Sequence, residues 1–444
     1  MQHCECGLTY KFVIVISPAR HLIFDFLCQI DSGRAFSGNI LNSEIMKTIG
    51  VLDRHLITEV VYGTLRRQLY LDHILAGASN RSWRTIETGA KILLRMSLYQ
   101  LCFMDRIPDH ALVNDAVELA KKHLNGNKYR YLNGILRNLA RTRPWKDASY
   151  LQEMPVWVRI SLPKWLWKRW IKRYGKGTTL LFAESLNRNP STTLRLGKQP
   201  ELGKIPYALR PSDIVPGAFI RTEEKNRKNG YDPGPLPLQD EASQLIPHLL
   251  GDIHGSIIWD ACAAPGGKTA ILYDRVGLSG KIVATDIRMQ RIQQLRRVLT
   301  DSPNLNILVA DAGRPAPFQI SFDAVMADVP CSGLGTLRKN PEIKWRFRPS
   351  EFLRLQKQQL SILEHVSENV RRGGKLLYST CSTEPEENES VVESFLARHP
   401  DFYIERPRYP CGIRNWIGKD HMLRTFPSSR KWDGLFAVLM MRKS

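Results

Sequence analysis

"SIIWDACAAPGGKTAILYDRV" (residues 256–276) joins a short apolar run, a glycine-containing turn and a helical pattern. A strand that passes through a tight turn into a helix is the repeating unit of a parallel α/β sheet. The same rhythm recurs downstream in "KIVATDIRMQRIQQLRRVL", "LNILVADAG", "FDAVMADVPC" and "GGKLLYSTC". The C-terminal half of the chain is therefore predicted to form a parallel sheet flanked by helices.

The turn at residues 261–269 does not match two common phosphate-binding motifs. A P-loop requires a glycine five residues before Gly267, where this chain has Cys262. The turn also lacks the Gly-x-Gly-x-x-Gly pattern of dinucleotide sites. What remains is a tight turn with backbone amides at a helix N-terminus, which suits the carboxylate of an amino-acid-like cofactor.

Each predicted strand ends in a residue with useful chemistry: Asp260, Asp286, Asp311, Asp328 and Cys381. Ligands of such sheets bind beyond the carboxyl ends of the strands, so these side chains are expected to share one crevice. Asp286 suits ribose hydroxyls, and Asp311 suits an adenine edge. Since a nucleoside with an amino-acid tail is S-adenosylmethionine, the pattern predicts that cofactor. Taken singly, each aspartate would be interpreted as a helix cap or a turn residue.

Two thiols, Cys331 and Cys381, follow neighbouring predicted strands. Taken alone, a cysteine at a strand end is a small core residue. Beside a methyl donor, a thiolate can add to carbon 6 of a pyrimidine and make carbon 5 nucleophilic enough to accept a methyl group. Positive charge from Lys268 would favour the thiolate, and Asp328 would hydrogen-bond the base edge. Spacing alone leaves open which thiol attacks.

The charge balance indicates a polyanionic partner. The 444 residues include 64 Lys and Arg against 43 Asp and Glu, a net charge of +21. Residues 121–176 contain 15 basic and only 2 acidic residues, interleaved with tryptophans, which favours nucleic acid over a merely solvated surface. A second basic run follows Cys331 and is expected to grip a phosphate backbone: Arg338, Lys339, Lys344, Arg346 and Arg348.

The cysteines and the apolar runs exclude other classes. The eight cysteines form no CxxC pair, so a reducing, cytoplasmic setting is expected. Cys4 and Cys6 lack the further ligands of a metal site, and no metal is predicted. No apolar run reaches the length of a membrane span, so no membrane association is expected.

The N-terminal part shows helical periodicity instead of strand alternation. "DHALVNDAVELAKKHL" (109–124) places Leu112, Val113, Ala116, Val117 and Ala120 on one face. "DRHLITEVVYGTLRRQLYLDHIL" (53–75) gives the same pattern, with Asp53 as a candidate cap. Between them and the sheet, "STTLRLG" and "GAFIRT" are predicted strands, and "EKNRKNGYDPGPLP" is a predicted linker.

The C-terminal segments resemble the Sun family of RNA cytosine-5 methyltransferases. The resemblance lies in "DACAAPGGKT", "ATDI", "VADAG", "ADVPCSGLGTLRKNPEIKW", "LLYSTCSTEPEENE" and "DGLFAVLMMRK". The N-terminal segments "LRMSLYQL", "PDHALVNDAVELAKK" and "LNGILRNLAR" resemble the NusB-like domain. That combination is similar to the RsmB/Sun (Fmu) family of ribosomal RNA cytosine-5 methyltransferases. Leu435, where the family often has phenylalanine, and "DVPCSGLG" for the commoner "DAPCSG" depart from the pattern.

The resemblance implies roles for individual residues. Cys381 would be the nucleophile, Cys331 would promote product release, and Asp328 would contact the base. The cofactor site would comprise Cys262, Ala263, Ala264, Pro265, Gly266, Gly267, Lys268, Asp286, Asp311 and Asp328. The implied substrate is a cytosine of small-subunit (16S) ribosomal RNA. The alternatives are transfer RNA, another RNA or DNA as substrate, or a non-catalytic RNA-binding assembly factor.

The predicted architecture is multidomain, combining α and α/β parts. It comprises an N-terminal extension (1–16), a NusB-like helical RNA-binding bundle (17–145), a basic linker or small α+β domain (146–235) and a Rossmann-like S-adenosylmethionine-dependent catalytic domain (236–444). The protein is expected to be a cytoplasmic monomer.

Overall fold

The computed structural model describes residues 17–105, 107–196, 209–222, 238–299, 302–406, 413–426 and 432–444. The chain divides into two compact units, Met1–Lys164 and Trp165–Ser444. Within the described ranges, no helix combines the length and the apolar character that a membrane crossing needs. The predicted extension (1–16), the predicted linker "EKNRKNGYDPGPLP", and Cys4, Cys6 and Cys411 lie outside the described residues.

The first unit is helical throughout its described part, as the periodicity predicts. Its helices are α1 (Pro18–Asp31), α2 (Ser37–Leu41), α3 (Glu44–Thr48), α4 (Val51–Arg66), α5 (Gln68–Ala78), α6 (Thr88–Phe103), α7 (Asp109–His123), α8 (Lys128–Thr142), α9 (Ala148–Glu153) and α10 (Val156–Arg159). Helix α7 buries the predicted stripe except Val117, which is half-buried, and it also buries Leu119. Charges follow the helix dipole, with Asp109 in the first turn and lysines in the last.

The predicted helix at 53–75 is two helices. α4 begins earlier, at Val51, with Gly50 as its N-cap, and Asp53 lies in the first turn instead of capping it. The helical path breaks at Arg67, whose φ and ψ are −101° and 9°. Hydrophobic periodicity could not reveal the break, because buried residues continue on both sides of it.

The second unit opens with α11 (Lys164–Leu186), which is interrupted at Gly175 (φ 78°, ψ 164°), a conformation that favours glycine. A small antiparallel sheet follows, in the order β1 (Thr193–Arg195), β3 (Ala218–Arg221), β2 (Leu209–Pro211). Two of these strands are the predicted ones. β2 was not predicted because it is only three residues long and contains a proline.

An eight-stranded sheet forms the centre of this unit. Its strands are β4 (Ile257–Asp260), β5 (Lys281–Asp286), β6 (Leu305–Val309), β7 (Phe322–Asp328), β8 (Val370–Thr380), β9 (Phe402–Ile404), β10 (Leu423–Arg424) and β11 (Phe436–Arg442). The order is β10-β11-β8-β7-β4-β5-β6, with β9 also on β11. β4 to β8 pair in parallel, and β9, β10 and β11 pair antiparallel. The predicted Rossmann-like strand order is confirmed.

Helices cover both faces of this sheet. They are α12 (Glu241–Leu245), α13 (Gly267–Val276), α14 (Met289–Val298), α15 (Ile343–Arg346), α16 (Glu351–Glu368) and α17 (Glu389–Arg398). Successive strand residues point to opposite faces, so Ile258 joins one core cluster and Trp259 joins the other. Sequence order reverses at β4, between β5 and β7. Ligands of doubly wound sheets bind beyond the carboxyl ends of the strands at such a point.

Candidate active site

Cys331 and Cys381 face each other across two neighbouring strands. Cys331 follows β7 and Cys381 follows β8, and these strands pair in parallel, so their carboxyl ends lie side by side. The two Sγ atoms are 2.9 Å apart, and the backbone N–H of Cys381 donates to Sγ of Cys331 at 3.2 Å. Both thiols are half-buried and unoxidised. The structure therefore brings together the two thiols that the sequence singled out.

The pKa of Cys331 lies well above that of an ordinary thiol. Its hydrogen bond to Cys381 is the largest cause, burial is the next, and the charge of Glu387 adds to both. Either sulfur can donate this hydrogen bond, and the raised pKa makes Cys331 harder to deprotonate than an ordinary thiol.

An ion pair lies beside the thiols. Nζ of Lys268 is 2.6 Å from Oδ2 of Asp328, and Oγ of Ser379 donates to Oδ1 of Asp328 at 2.7 Å. Burial opposes the charge of Lys268, but Asp328 outweighs it, and the pKa of the lysine is raised, with Cys381 contributing in the same direction. Lys268 thus remains a cation next to the thiol pair.

The glycine turn forms the wall of a cavity of about 240 Å³. Of the turn, residues 262–265, Gly267 and Lys268 line the cavity, and Asp328 lines it as well. Gly267 is the first residue of α13, and a Cβ there would lie 3.0 Å from the side chain of Gln239, so glycine avoids a close contact at the cavity wall.

Gln239, Ser243 and Arg195 also line this cavity, although the sequence analysis did not single them out. Gln239 and Ser243 lie inside the predicted catalytic domain (236–444) but before its first motif, "DACAAPGGKT", so no motif marked them. Arg195 comes from β1, and no local signal in the sequence connects it to the turn.

Asp260 is fully buried at the end of β4 and also lines the cavity. Its Oδ2 accepts a hydrogen bond from Oγ1 of Thr269 at 2.7 Å. Burial raises the pKa of Asp260 to about 7. The sequence identified this residue only as a strand end, because burial is a property of the folded chain.

The other two predicted cofactor aspartates differ in placement. Asp286 is buried at the end of β5, 3.3 Å from Nη1 of Arg291, whose Nη2 donates to the carbonyl of Ala264 at 2.7 Å. Arg291 thus connects Asp286 to the glycine turn. Asp311 accepts from the backbone N–H of Gly313 at 2.9 Å, so it stabilises its own turn. Neither aspartate lines the cavity described above.

The basic run after Cys331 does not form the exposed phosphate grip that the sequence suggested. Arg338 and Lys344 are buried, and Nζ of Lys339 lies 2.5 Å from Asp240 and 2.9 Å from Asp433. Lys339 thus pairs with two buried carboxylates of the same unit, which a count of charges along the chain cannot reveal. Of the five basic residues in this run, Arg348 is the exposed one.

Part of the aromatic and basic stretch also turns inward. Trp170 is fully buried, and its Nε1 donates to Oε1 of Glu384 at 2.8 Å. Arg169 pairs with Glu384 and Glu386, and Arg173 donates to the carbonyl of Thr383. Trp170 is therefore a buried core residue, and helix α11 is hydrogen-bonded to the acidic segment that follows Cys381.

Family models match both units of the chain. A model described as 16S rRNA methyltransferase RsmB/F matches residues 248–441, and the NusB family model matches residues 17–141. A probable ribosomal RNA small subunit methyltransferase B from Bacillus subtilis is 30% identical and covers 96% of this chain and 99% of its own. One from Synechocystis is also 30% identical, covering 94% of this chain and 98% of its own.

Two solved structures share the fold. The crystal structure of PH0851 is 24% identical with a TM-score of 0.77, covering 96% of this chain and 99% of that chain. A methyltransferase homologue from Pyrococcus horikoshii is 24% identical with a TM-score of 0.54, covering 67% of this chain and 99% of that chain. At 24% identity, these two similarities show a shared fold and nothing further.

Proposed function

Because this chain belongs to the family of ribosomal RNA small subunit methyltransferases B, we propose that it methylates carbon 5 of a cytosine in 16S ribosomal RNA with S-adenosylmethionine. The observation that carries the chemistry is the 2.9 Å contact between Sγ of Cys331 and Sγ of Cys381, beside Lys268 and Asp328. Carbon 5 of cytosine is too weak a nucleophile to be methylated unaided, and a thiol pair next to a carboxylate supplies what the reaction lacks.

In this proposal Cys381 is the nucleophile. Its sulfur lies 2.9 Å from Sγ of Cys331 and near the cation of Lys268, and a nearby positive charge is the usual aid to a nucleophilic cysteine. The thiolate adds to carbon 6 of cytosine, and the electron pair of the ring's double bond moves toward carbon 5. The target base must be unstacked from the RNA to reach the crevice.

Asp328 is proposed to hold the base edge. Lys268 and Ser379 fix both of its oxygens, so the carboxylate has a defined orientation. A carboxylate at the base edge stabilises a proton on the ring nitrogen while electron density moves through the ring. Lys268 supplies the positive charge that makes a carboxylate tolerable there.

Cys331 is proposed to complete the cycle. Once the sulfur of Cys381 is bonded to carbon 6, it can no longer exchange a proton with Cys331. Cys331 can then give its proton to solvent and, as the base, take the proton from carbon 5. The electron pair of that C–H bond restores the ring double bond and expels Cys381 as a thiolate.

The glycine turn suits the cofactor. Gly267 opens the space at the N-terminus of α13, whose amides favour a carboxylate, and buried Asp286 is linked to the turn by Arg291. We propose that residues 262–268, Asp286 and Asp328 hold S-adenosylmethionine, with Asp311 at the adenine edge. When bound, the cofactor supplies an electrophilic methyl group.

The direct test uses purified protein, tritiated S-adenosylmethionine and small-subunit RNA that lacks this modification. Label retained in that RNA as 5-methylcytosine supports the proposal, and a bisulfite map identifies the nucleotide. Label found only in transfer RNA would contradict the substrate. RNA affinity without cofactor binding by calorimetry would instead favour an assembly factor.

We also propose that the protein acts on RNA as a cytoplasmic monomer. Light scattering coupled to gel filtration would give a mass near 50.8 kDa for one chain. A mass of twice that value would contradict the monomer.

A further inference from the structure

Glu387 is a buried carboxylate that the chemistry above does not use. It lies between β8 and α17, six residues after the proposed nucleophile, and is fully buried. Among the described residues, no lysine, arginine or histidine forms an ion pair with it. A buried charge without a counterion is destabilising unless hydrogen bonds satisfy it. Such a group calls for an explanation.

Hydrogen bonds to Glu387 come from both cysteine-bearing loops. Oε1 accepts from the backbone N–H of Ser332 at 2.7 Å, and Oε2 accepts from Oγ of Ser332 at 2.6 Å. Ser332 is the residue after Cys331. Oε2 also accepts from Oγ of Ser382, the residue after Cys381. One carboxylate thus joins the two loops directly behind their thiols.

Gln359 of α16 extends the connection. Its Nε2 donates to Oε1 of Glu387 at 3.1 Å and to the carbonyl of Pro330 at 2.9 Å. The residues on both sides of Cys331 are therefore tied to the same group. The hydroxyl of Tyr378, in β8, donates to the backbone carbonyl of Glu387 at 2.6 Å, which fixes the carboxylate to the strand that carries Cys381.

We propose that Glu387 is a positioning residue that holds the loops of Cys331 and Cys381 together so that their sulfur atoms stay in contact. This rests on the proposed function, because sulfur contact matters only if the thiols act in sequence. A side chain bonded to both loops is well placed for the task, since misplacing a reacting group by about 1 Å can reduce a rate about a hundredfold.

The charge of Glu387 has a second consequence. It contributes to the raised pKa of Cys331, after the hydrogen bond to Cys381 and after burial. The other titratable groups around the thiols are Tyr378, Asp328 and Lys268. Removing the charge of Glu387 should therefore lower the pKa of Cys331, which a purely structural role for the residue would not require.

The test compares Glu387→Gln with Glu386→Gln. Glu386 is the adjacent glutamate, is partly exposed, and pairs with Arg169 instead of a cysteine loop. In the full-length free protein, iodoacetamide labelling of each cysteine is followed by mass spectrometry across pH. Glu387→Gln should move the labelling midpoint of Cys331 to lower pH and slow methyl transfer about a hundredfold, with KM for RNA little changed. Glu386→Gln should do neither.

A second variant covers the case in which Glu387→Gln fails to fold. Ser332→Ala removes one donor to the carboxylate but keeps its charge, so transfer should fall about tenfold while the Cys331 midpoint stays in place. If Glu387→Gln folds and matches wild type in both the labelling midpoint of Cys331 and the rate of methyl transfer, the proposal is overturned. If Glu387→Gln does not fold, a Ser332→Ala variant that matches wild type in both measurements overturns it instead. A wild-type protein that methylates nothing would refute the proposed function. Because labelling needs no RNA, the labelling comparison would still test the role of Glu387 in that case.

Discussion

Cys28 and Cys102 in the helical unit contrast with Cys331 and Cys381 in the α/β unit. All four are half-buried free thiols. Cys28 lies on α1, where burial first and the nearby Asp25 and Asp31 second raise its pKa to about 11, and burial alone raises the pKa of Cys102 on α6. Both pack against the helical core. Cys331 and Cys381 instead hydrogen-bond each other next to a lysine.

The two pairs of thiols therefore differ in what surrounds the sulfur atoms, although all four are half-buried. An amphipathic helix turns its buried side chains toward apolar neighbours, and burial is the largest cause of the raised pKa of both Cys28 and Cys102. The carboxyl edge of a parallel sheet gathers loops from several strands, and each loop brings polar groups. Substitutions at these cysteines and at buried polar groups of the two units test this contrast.

Replacing Cys381 by alanine should reduce methyl transfer by at least about a thousandfold, because a covalent step cannot proceed without its nucleophile. Cys102→Ala is the matched control and should stay within about twofold of wild type, because no reacting group lies near it. Initial rates with tritiated cofactor provide the measurement. Equal losses in the two variants would remove the contrast.

Replacing Cys331 by alanine should slow turnover about a hundredfold, the usual contribution of a general acid or base. A covalent adduct between protein and RNA should accumulate, because methylation proceeds but release does not. A denaturing gel with labelled RNA detects it. An adduct that forms only when Cys381 is missing would reverse the two roles.

The fully buried Asp260, at the end of β4 in the α/β unit, should make the stability of the protein depend on pH. Its pKa in the folded protein is about 7, above the ordinary 3.8, so the folded state binds the additional proton between these values. Stability should therefore fall as pH rises through this window and level off above it. Relative to wild type, Asp260→Asn should gain about 2 kcal/mol between pH 5 and pH 8 in urea unfolding. An unchanged difference at the two pH values would contradict the raised pKa.

The smallest expected effect is a loss of stability when a tryptophan is replaced. Trp170→Phe preserves stacking on Phe182 but removes the hydrogen bond to buried Glu384, which should lower the free energy of unfolding by about 1–2 kcal/mol. Trp157→Phe, in the helical unit, is the control and should lower it by less, because that ring is half-buried. Urea titrations of both variants measure the difference. A larger loss for Trp157 would contradict the assignment of Trp170 as a buried donor.

Local patterns in the sequence predicted most of the fold and the thiol pair. Strand, turn and helix signals are short-range, so the five parallel strands and the residues at their ends were evident from spacing. The topology then brings Cys331 and Cys381 together, because the strands that precede them are neighbours. The residue roles and the domain boundaries inferred from the resemblance stay predictions.

The features that the sequence did not predict depend on contacts between residues that are far apart in the chain. Arg169 is separated from Glu384 by 215 positions, and Lys339 from Asp240 by 99. A cation that neutralises a distant carboxylate looks the same in the sequence as one that binds RNA. For the same reason Glu387 appeared only as part of an acidic loop, although in the fold its carboxylate joins the two cysteine loops.

The most direct test of the central claim uses RNA in which 5-fluorocytosine replaces cytosine. Fluorine cannot leave carbon 5 as a proton does, so the protein stays bonded to the methylated base. After digestion, mass spectrometry locates the modified peptide. We expect a cofactor-dependent bond to Cys381 in a folded, methylation-competent protein. A bond to Cys331, or no bond at all, would contradict it.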